Sequence, residues 1–409
     1  MTYYRLLWLV LLAACAAALL SGRSIFWAVA GALLALSLAA PAWAWLSTNW
    51  LRFSRRAASS QVQVGGWFEE SLRLTNLSLL PRLWIEVVDH STLPGHTASR
   101  WITLLAGRQW RGWRVSTLCT QRGAFTLGPV EVCASDPLGL FEVRRRLHQT
   151  RRVLVLPYTC PLSMVLPTAE IGFEETARLR QTLSTSANVS GVREYAAGDS
   201  LNRIHWPSTA RRQKLIAKAF EQDPVGAIWL VLDLERAVHF TSSTAKPVGN
   251  FTLLPPSTEE YTISLAASLA QHFLEHHRAV GLIAWSQHRL YIPAEPGTRQ
   301  LKHILEQLAV VRAEGELPFA HVIAEALTGL PRSAFVIAIS PSPDPAWGNA
   351  LQQVEHAGRA ALAVVFDRAS FGEAQLAAPP LAALTHPKLA VRVVRYGQPF
   401  AETFQVPAR

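Results

Sequence analysis

The chain has 409 residues, half of them apolar and 17% charged, with a net charge of +10 and a mean hydropathy of +0.16. That length allows two or three domains at about 100–200 residues each. The composition excludes a disordered chain, a collagen (23 glycines) and a disulfide mini-protein (4 cysteines).

Tyr3 to Leu20 is apolar apart from Arg5, and after Ser21-Gly22-Arg23-Ser24 a second apolar run extends from Ile25 to Leu46. A bilayer core of about 30 Å takes about 20 helical residues, so the second run spans it comfortably and the first only just. Tyr3, Tyr4 and Trp8 stand near one end of the first run, and Trp43, Trp45 and Trp50 near the matching end of the second. That is the placement of interfacial aromatics. The pattern predicts a two-helix transmembrane hairpin over 1–50. Arg5, Arg52, Arg55 and Arg56 flank its outer ends against Arg23 in the turn. The positive-inside rule then puts both termini and the soluble domains in the cytoplasm, at the inner membrane. Two alternatives are weaker. Leu12-Ala13-Ala14-Cys15 looks like a lipoprotein box, but the chain stays apolar after its cysteine; a signal peptide followed by one span is the other. Cys15, Cys119, Cys133 and Cys160 show no metal-ligand spacing.

Residues 51–157 read as a small antiparallel β-sandwich. Leu83, Ile85 and Val87 alternate with Trp84, Glu86 and Val88, and Trp113, Val115, Thr117 and Cys119 alternate with Arg114, Ser116 and Thr120. A basic connector follows over 158–225. Between 144 and 218 thirteen lysines and arginines face five carboxylates, which accounts for most of the net charge. Tethering makes anionic lipid a better partner for this charge than nucleic acid, and no nucleic-acid role is expected.

From 226 to 409 strands alternate with helices. Ala227–Leu232, Val280–Trp285, Ala334–Ile339, Ala361–Phe366 and Leu389–Val394 are buried-strand candidates, and Ile263 to His277 carries helical spacing. Continuous apolar strands of this kind form a mostly parallel sheet covered on both faces, a three-layer α/β domain. His272-Phe273-Leu274-Glu275-His276 spells a zinc-peptidase string, but all three polar side chains turn away from the apolar stripe and read as a solvated face. The phosphate-loop, dinucleotide and nucleophile-elbow motifs are absent from the sequence, so no catalytic residue is assigned and no cofactor is expected.

The densest constellation is Arg193, Tyr195, Gly198, Asp199, Arg203, Ile204, Trp206, Ala210 and Arg211, followed by Lys218 and Glu221. Its arginines can hold carboxylates in bidentate pairs around a Gly-Asp turn. It reads as a structural ion-pair network, a docking site, or both. These residues resemble the signature R-x-Y-x-x-G-D-x-x-R-x-I-x-W-x-x-x-A-R of the bacterial family called domain of unknown function 58. Arg122-Gly123 to Val130 and Asp136 to Phe141 are similar to the segment that precedes it in that family.

The resemblance implies a von Willebrand factor A-like α/β domain. Many such domains bind Mg²⁺ through D-x-S-x-S after the first strand. Here the string is Asp233-Leu234-Glu235-Arg236-Ala237, and Ser340, Ser342 and Asp344 follow a later strand. These four positions, Asp233, Ser340, Ser342 and Asp344, are expected to be vestigial, with no metal bound. The resemblance also links the chain to MoxR-type AAA ATPases. It implies a membrane-tethered, non-catalytic adaptor that docks such an ATPase during assembly or maturation of envelope or enzyme complexes, with oligomerisation possible. The alternative is an enzyme or ligand-binding protein using the strand-end crevice near Asp233, Asp344 or His205. An envelope adhesion protein would require an extracellular C-terminus.

Overall fold

The computed structural model describes residues 2–136, 138–162, 189–194, 204–220, 226–243, 245–249, 251, 253–372 and 389–404. Of these, 2–4, 189–194 and 217–220 are described as backbone. The chain divides into two compact units, 1–156 and 157–409.

The first unit opens with two apolar helices in contact, α1 (Thr2–Ser21) and α2 (Ser24–Thr48). Buried small residues Ala18, Ala30, Ser37 and Ala40 permit close approach. Among the described residues one helix, Ser24–Thr48, is long and apolar enough to cross a membrane; the Arg5–Ser21 stretch is shorter.

Two antiparallel sheets follow. One has the order β1 (Leu51–Ala57), β3 (Trp67–Asn76), β6 (Trp110–Leu118); the other runs β5 (Arg100–Leu105), β4 (Arg82–Asp89), β8 (Val130–Ser135), β9 (Glu142–Leu147). In β3 burial alternates strictly, and its inward residues meet those of β4, β5 and β8 in one core of Phe53, Leu72, Leu74, Ile85, Val87, Ile102, Trp113 and Val132. A third sheet departs from the antiparallel expectation: β2 (Gln61–Gln63) pairs parallel with β10 (Arg151–Leu156), which pairs antiparallel with β7 (Gly123–Leu127).

In the second unit a two-stranded ribbon, β11 (Val189–Glu194) with β12 (Ile216–Phe220), precedes a six-stranded sheet. That sheet has the order β15 (Arg289–Glu295), β14 (Val280–Trp285), β13 (Ile228–Leu232), β16 (Phe335–Ser340), β17 (Ala360–Phe366), β18 (Ala390–Val394). All neighbours are parallel except the β14–β15 pair. β13 and β16 are buried at every position, because apolar side chains leave both faces. One face packs Trp229, Val231, Val336 and Ala338 on α6 (Phe319–Gly329) and α7 (Ala346–His356). Helix α4 (Thr258–Glu275) contacts β13, β14 and β16 and in turn meets α5 (Thr298–Val310). The strands after β13 are added on one side of it and, from β16, on the other. The order therefore reverses between β13 and β16.

Candidate functional site

The order reverses at the C-terminal ends of β13 and β16, the position at which open α/β sheets bind ligands. Asp233 leaves β13 there and Ser340 ends β16. The Ser340 hydroxyl donates to Asp233 Oδ2 at 2.5 Å, and the Glu235 backbone N–H donates to Oδ1 at 3.1 Å. Asp233 is 1% exposed. Burial pushes its pKa up to about 7; the hydrogen bonds from Ser340 and Glu235 offset part of that rise, and the Glu235 charge adds to it. The network continues outward. Ser342 N–H donates to Ser340 Oγ (2.9 Å), Asp344 N–H to Ser342 Oγ (3.2 Å), and Ala346 N–H, in the first turn of α7, to Asp344 Oδ1 (2.9 Å). All four strand-end positions singled out in the sequence thus lie in one hydrogen-bonded chain.

Two members were not legible as site residues. Glu235 is raised in pKa by burial and by the Asp344 charge. His239 places Nε2 2.8 Å from the Asp233 carbonyl oxygen and Nδ1 3.3 Å from Thr258 Oγ1. The 233–237 loop is zipped to Gly315, whose N–H donates to Leu234 O (2.9 Å) and whose carbonyl accepts from Arg236 N–H (2.8 Å). A Cβ at Gly315 would lie 2.5 Å from Trp285 O, so this approach requires glycine. Both Asp233 oxygens accept hydrogen bonds, the Ser340 hydroxyl donates to Asp233, and Ala237 has no side-chain oxygen.

The signature lies on the ribbon. Arg193 pairs in register with Ala217 and Val192 with Lys218, so its first and last parts are side by side. Between them α3 (Trp206–Arg212) starts with Pro207 in its first turn; the His205 ring accepts from Ser208 N–H, and Thr209 Oγ1 accepts from Ile216 N–H at 3.1 Å. His205 is therefore a helix cap. Ile204 is buried, whereas Trp206 is 65% exposed and Ala210, Arg211 and Arg212 are exposed. Tyr195, Gly198, Asp199, Arg203 and Glu221 lie outside the described residues, as do the side chains of Arg193 and Lys218. The ion-pair network expected among them falls there too.

The zinc-peptidase string forms no metal cluster among the described residues. His272 and His276 stack with ring centroids 4.4 Å apart, and His276 Nδ1 faces the His272 carbonyl oxygen at 2.7 Å. The convergent group that does form is in the sandwich: Glu70, Asp89 and His96. Arg55 joins it, with Nη2 2.6 Å from Asp89 and Nε 3.0 Å from Glu70, the latter an ion pair without good hydrogen-bond direction. His96 Nε2 lies 3.0 Å from Glu70 and 3.5 Å from Asp89, and Nδ1 2.9 Å from Thr117 Oγ1. Burial alone depresses the pKa of His96, but hydrogen bonds to Asp89 and Glu70 and their charges reverse this and raise it to about 9. Two carboxylates thus face two cations, a closed ion-pair lock. Arg55, taken from sequence as a juxtamembrane charge, is turned inward by this pairing.

The segment carrying the signature and five strands of the sheet is similar to one described family. Residues 191–371 match the family described as "Protein of unknown function DUF58", which the signature resembled. The uncharacterized protein YeaD of Bacillus subtilis (strain 168) is 24% identical over 208 residues, 50% of this chain and 47% of YeaD. The chain thus spans about half the length of that curated relative. Solved structures similar to part of the chain include the CARDB domain of a Pyrococcus furiosus protein (14% identity, 26% of this chain and 87% of that one, TM-score 0.21). A FixG-related protein from Vibrio parahaemolyticus is another (9% identity, 26% and 98%, TM-score 0.17). At such scores neither likeness bears on function.

Proposed function

We propose that the chain is a membrane-tethered, non-catalytic adaptor whose family segment docks a cytoplasmic MoxR-type AAA ATPase. The observation that carries this reading is Trp206, 65% exposed at the head of a short helix that ends in exposed Arg211 and Arg212. An exposed tryptophan beside arginines is the composition of a protein-binding hot spot, and leaving it in water needs a reason. The sheet order, with one antiparallel edge strand beside parallel ones, supports a von Willebrand factor A-like domain as the body that presents it. The apolar α2 and its contact with α1 support a transmembrane hairpin; Arg5, Arg52 and Arg56 at its outer ends support a cytoplasmic location for both units.

A second reading, a ligand or catalytic site at the strand-end crevice, is motivated by a buried carboxyl held at the point where the strand order reverses. Affinity capture from gently solubilised membranes separates the two. The adaptor reading expects an ATPase to be captured by wild type and by Asp233→Asn, and lost with Trp206→Ala or Arg211→Glu. Retention by both ribbon variants, or loss with Asp233→Asn alone, would move the docking function away from the ribbon.

A further inference from the structure

The sandwich carries its exposed apolar side chains unevenly. β1 starts, β3 ends and β6 starts at the end of the sandwich where α2 arrives, as the pairs Leu51 with Asn76 and Thr75 with Trp110 require. The starts of β4 and β9 and the ends of β5 and β8 lie at the matching end of the other sheet. The loops here project Leu77, Leu79, Leu80 and Leu138, with Trp50 and Trp110 beside them; Leu79 is 73% and Leu138 61% exposed. Among the described large apolar residues of the sandwich, only Trp67, Trp101 and Leu118 are exposed toward the other end.

This end is fixed to the apolar helix. Leu77 N–H donates to Trp50 O at 2.8 Å, and Trp45 meets Trp50 edge to face at 6.4 Å. Arg145 Nη1 donates to Thr48 O at 3.3 Å and to Asn49 Oδ1 at 3.2 Å. A basic collar surrounds the apolar tips: Arg52, Arg108 and Arg111 are exposed, and Arg73 lies over the Trp110 ring at 4.1 Å. Glu142, also exposed, is paired with Arg144.

We propose that this end of the sandwich is seated in the headgroup layer of an anionic bilayer. The loops 77–80 and 138–141 insert their leucines while the arginines meet lipid phosphates. Apolar tips ringed by cations are the composition of interfacial membrane contacts, and basic residues near an anionic surface are attracted to it. Continuity with the helix that enters the membrane selects lipid as the occupant. The inference rests on α2 spanning the bilayer, so its test carries a control in α2.

Benzoylphenylalanine is placed singly at Leu38, Leu79, Leu138 or Trp67 in the full chain, which is reconstituted into phosphatidylcholine vesicles with or without phosphatidylglycerol and irradiated. Lipid adducts are expected at Leu38, Leu79 and Leu138, several-fold above Trp67, with those at Leu79 and Leu138 decreasing when phosphatidylglycerol is omitted. Adducts at Leu38 with Leu79 no higher than Trp67 would overturn the seated end alone. Loop adducts indifferent to lipid charge would overturn the anionic surface as its partner. No adduct at Leu38 would overturn the membrane span and this proposal with it.

Discussion

His96 and Asp233 both hold their protons more tightly in the folded chain, so each contribution to stability is lost as pH rises, in a different window. His96 keeps its proton in the folded sandwich up to about pH 9, against an ordinary 6.5. Its stabilising contribution is therefore complete below pH 6.5 and lost as pH rises through about 9. Thermal melts of the full chain in detergent should show Tm falling across that window. His96→Gln should cost on the order of 3 kcal/mol at the acid side and flatten the dependence; an unchanged slope would contradict the charged histidine. Asp233 binds its proton more tightly when folded, so stability is retained below its ordinary 3.8 and lost as pH rises to about 7. Asp233→Asn should consequently melt higher than wild type above pH 7, by roughly 1–3 kcal/mol, with no gain near the acid end. Equal melting at both ends would mean that the carboxyl is not strained by burial. Asp233 was legible because it follows an apolar strand, and Glu70 could have been: it occupies an inward position between Phe68 and Leu72. Its partners were not legible, because Arg55, Asp89 and His96 are brought to it by strand pairing rather than by spacing.

At the scale of elements, the buried strands of the second unit could be read almost to the residue, since an apolar run bounded by polar turns has one use in a parallel sheet. Ala334–Ile339 became Phe335–Ser340, a shift of one residue that puts Ser340 on the strand and its hydroxyl on Asp233. The helix expected from Ile263 begins earlier, at Thr258, and is buried on more than one face because it lies under both the sheet and the aromatic cluster of Tyr261, Phe371 and Phe400. The parallel β2–β10 pair was hidden, because three residues of alternation do not reveal the direction of a partner nearly a hundred positions away. Close fit in the sheet is tested at Gly281, where a Cβ would meet the Trp229 ring at 2.6 Å. Gly281→Ala should lower stability by about 1–3 kcal/mol, read by denaturant melts, and Trp229→Phe in the same background should recover part of it. A neutral Gly281→Ala would contradict the packing between β13 and β14.

For the whole molecule, an apolar N-terminal helix followed by sheets and helices was legible from changes in periodicity. The apolar seat beside α2 was not, since Leu77, Leu79 and Leu138 look like loop residues until Leu51–Asn76 pairing and the β8–β9 turn bring them to one end. In that turn Asp136 accepts from Leu138 and Phe141 N–H groups, at 3.0 and 2.6 Å, so this part of the family-like segment holds a turn. We propose that the ribbon around Trp206 meets a cytoplasmic ATPase while the N-terminal helices hold the chain at the membrane. The most direct test is photo-crosslinking in living cells with benzoylphenylalanine at Ala210 on α3, compared with the same group at Gln287 in the β14–β15 turn. An adduct with a AAA ATPase is expected at Ala210 and none at Gln287. An adduct of equal yield at both positions, or the absence of any ATPase adduct at Ala210 while the protein is folded and membrane-bound, would contradict it.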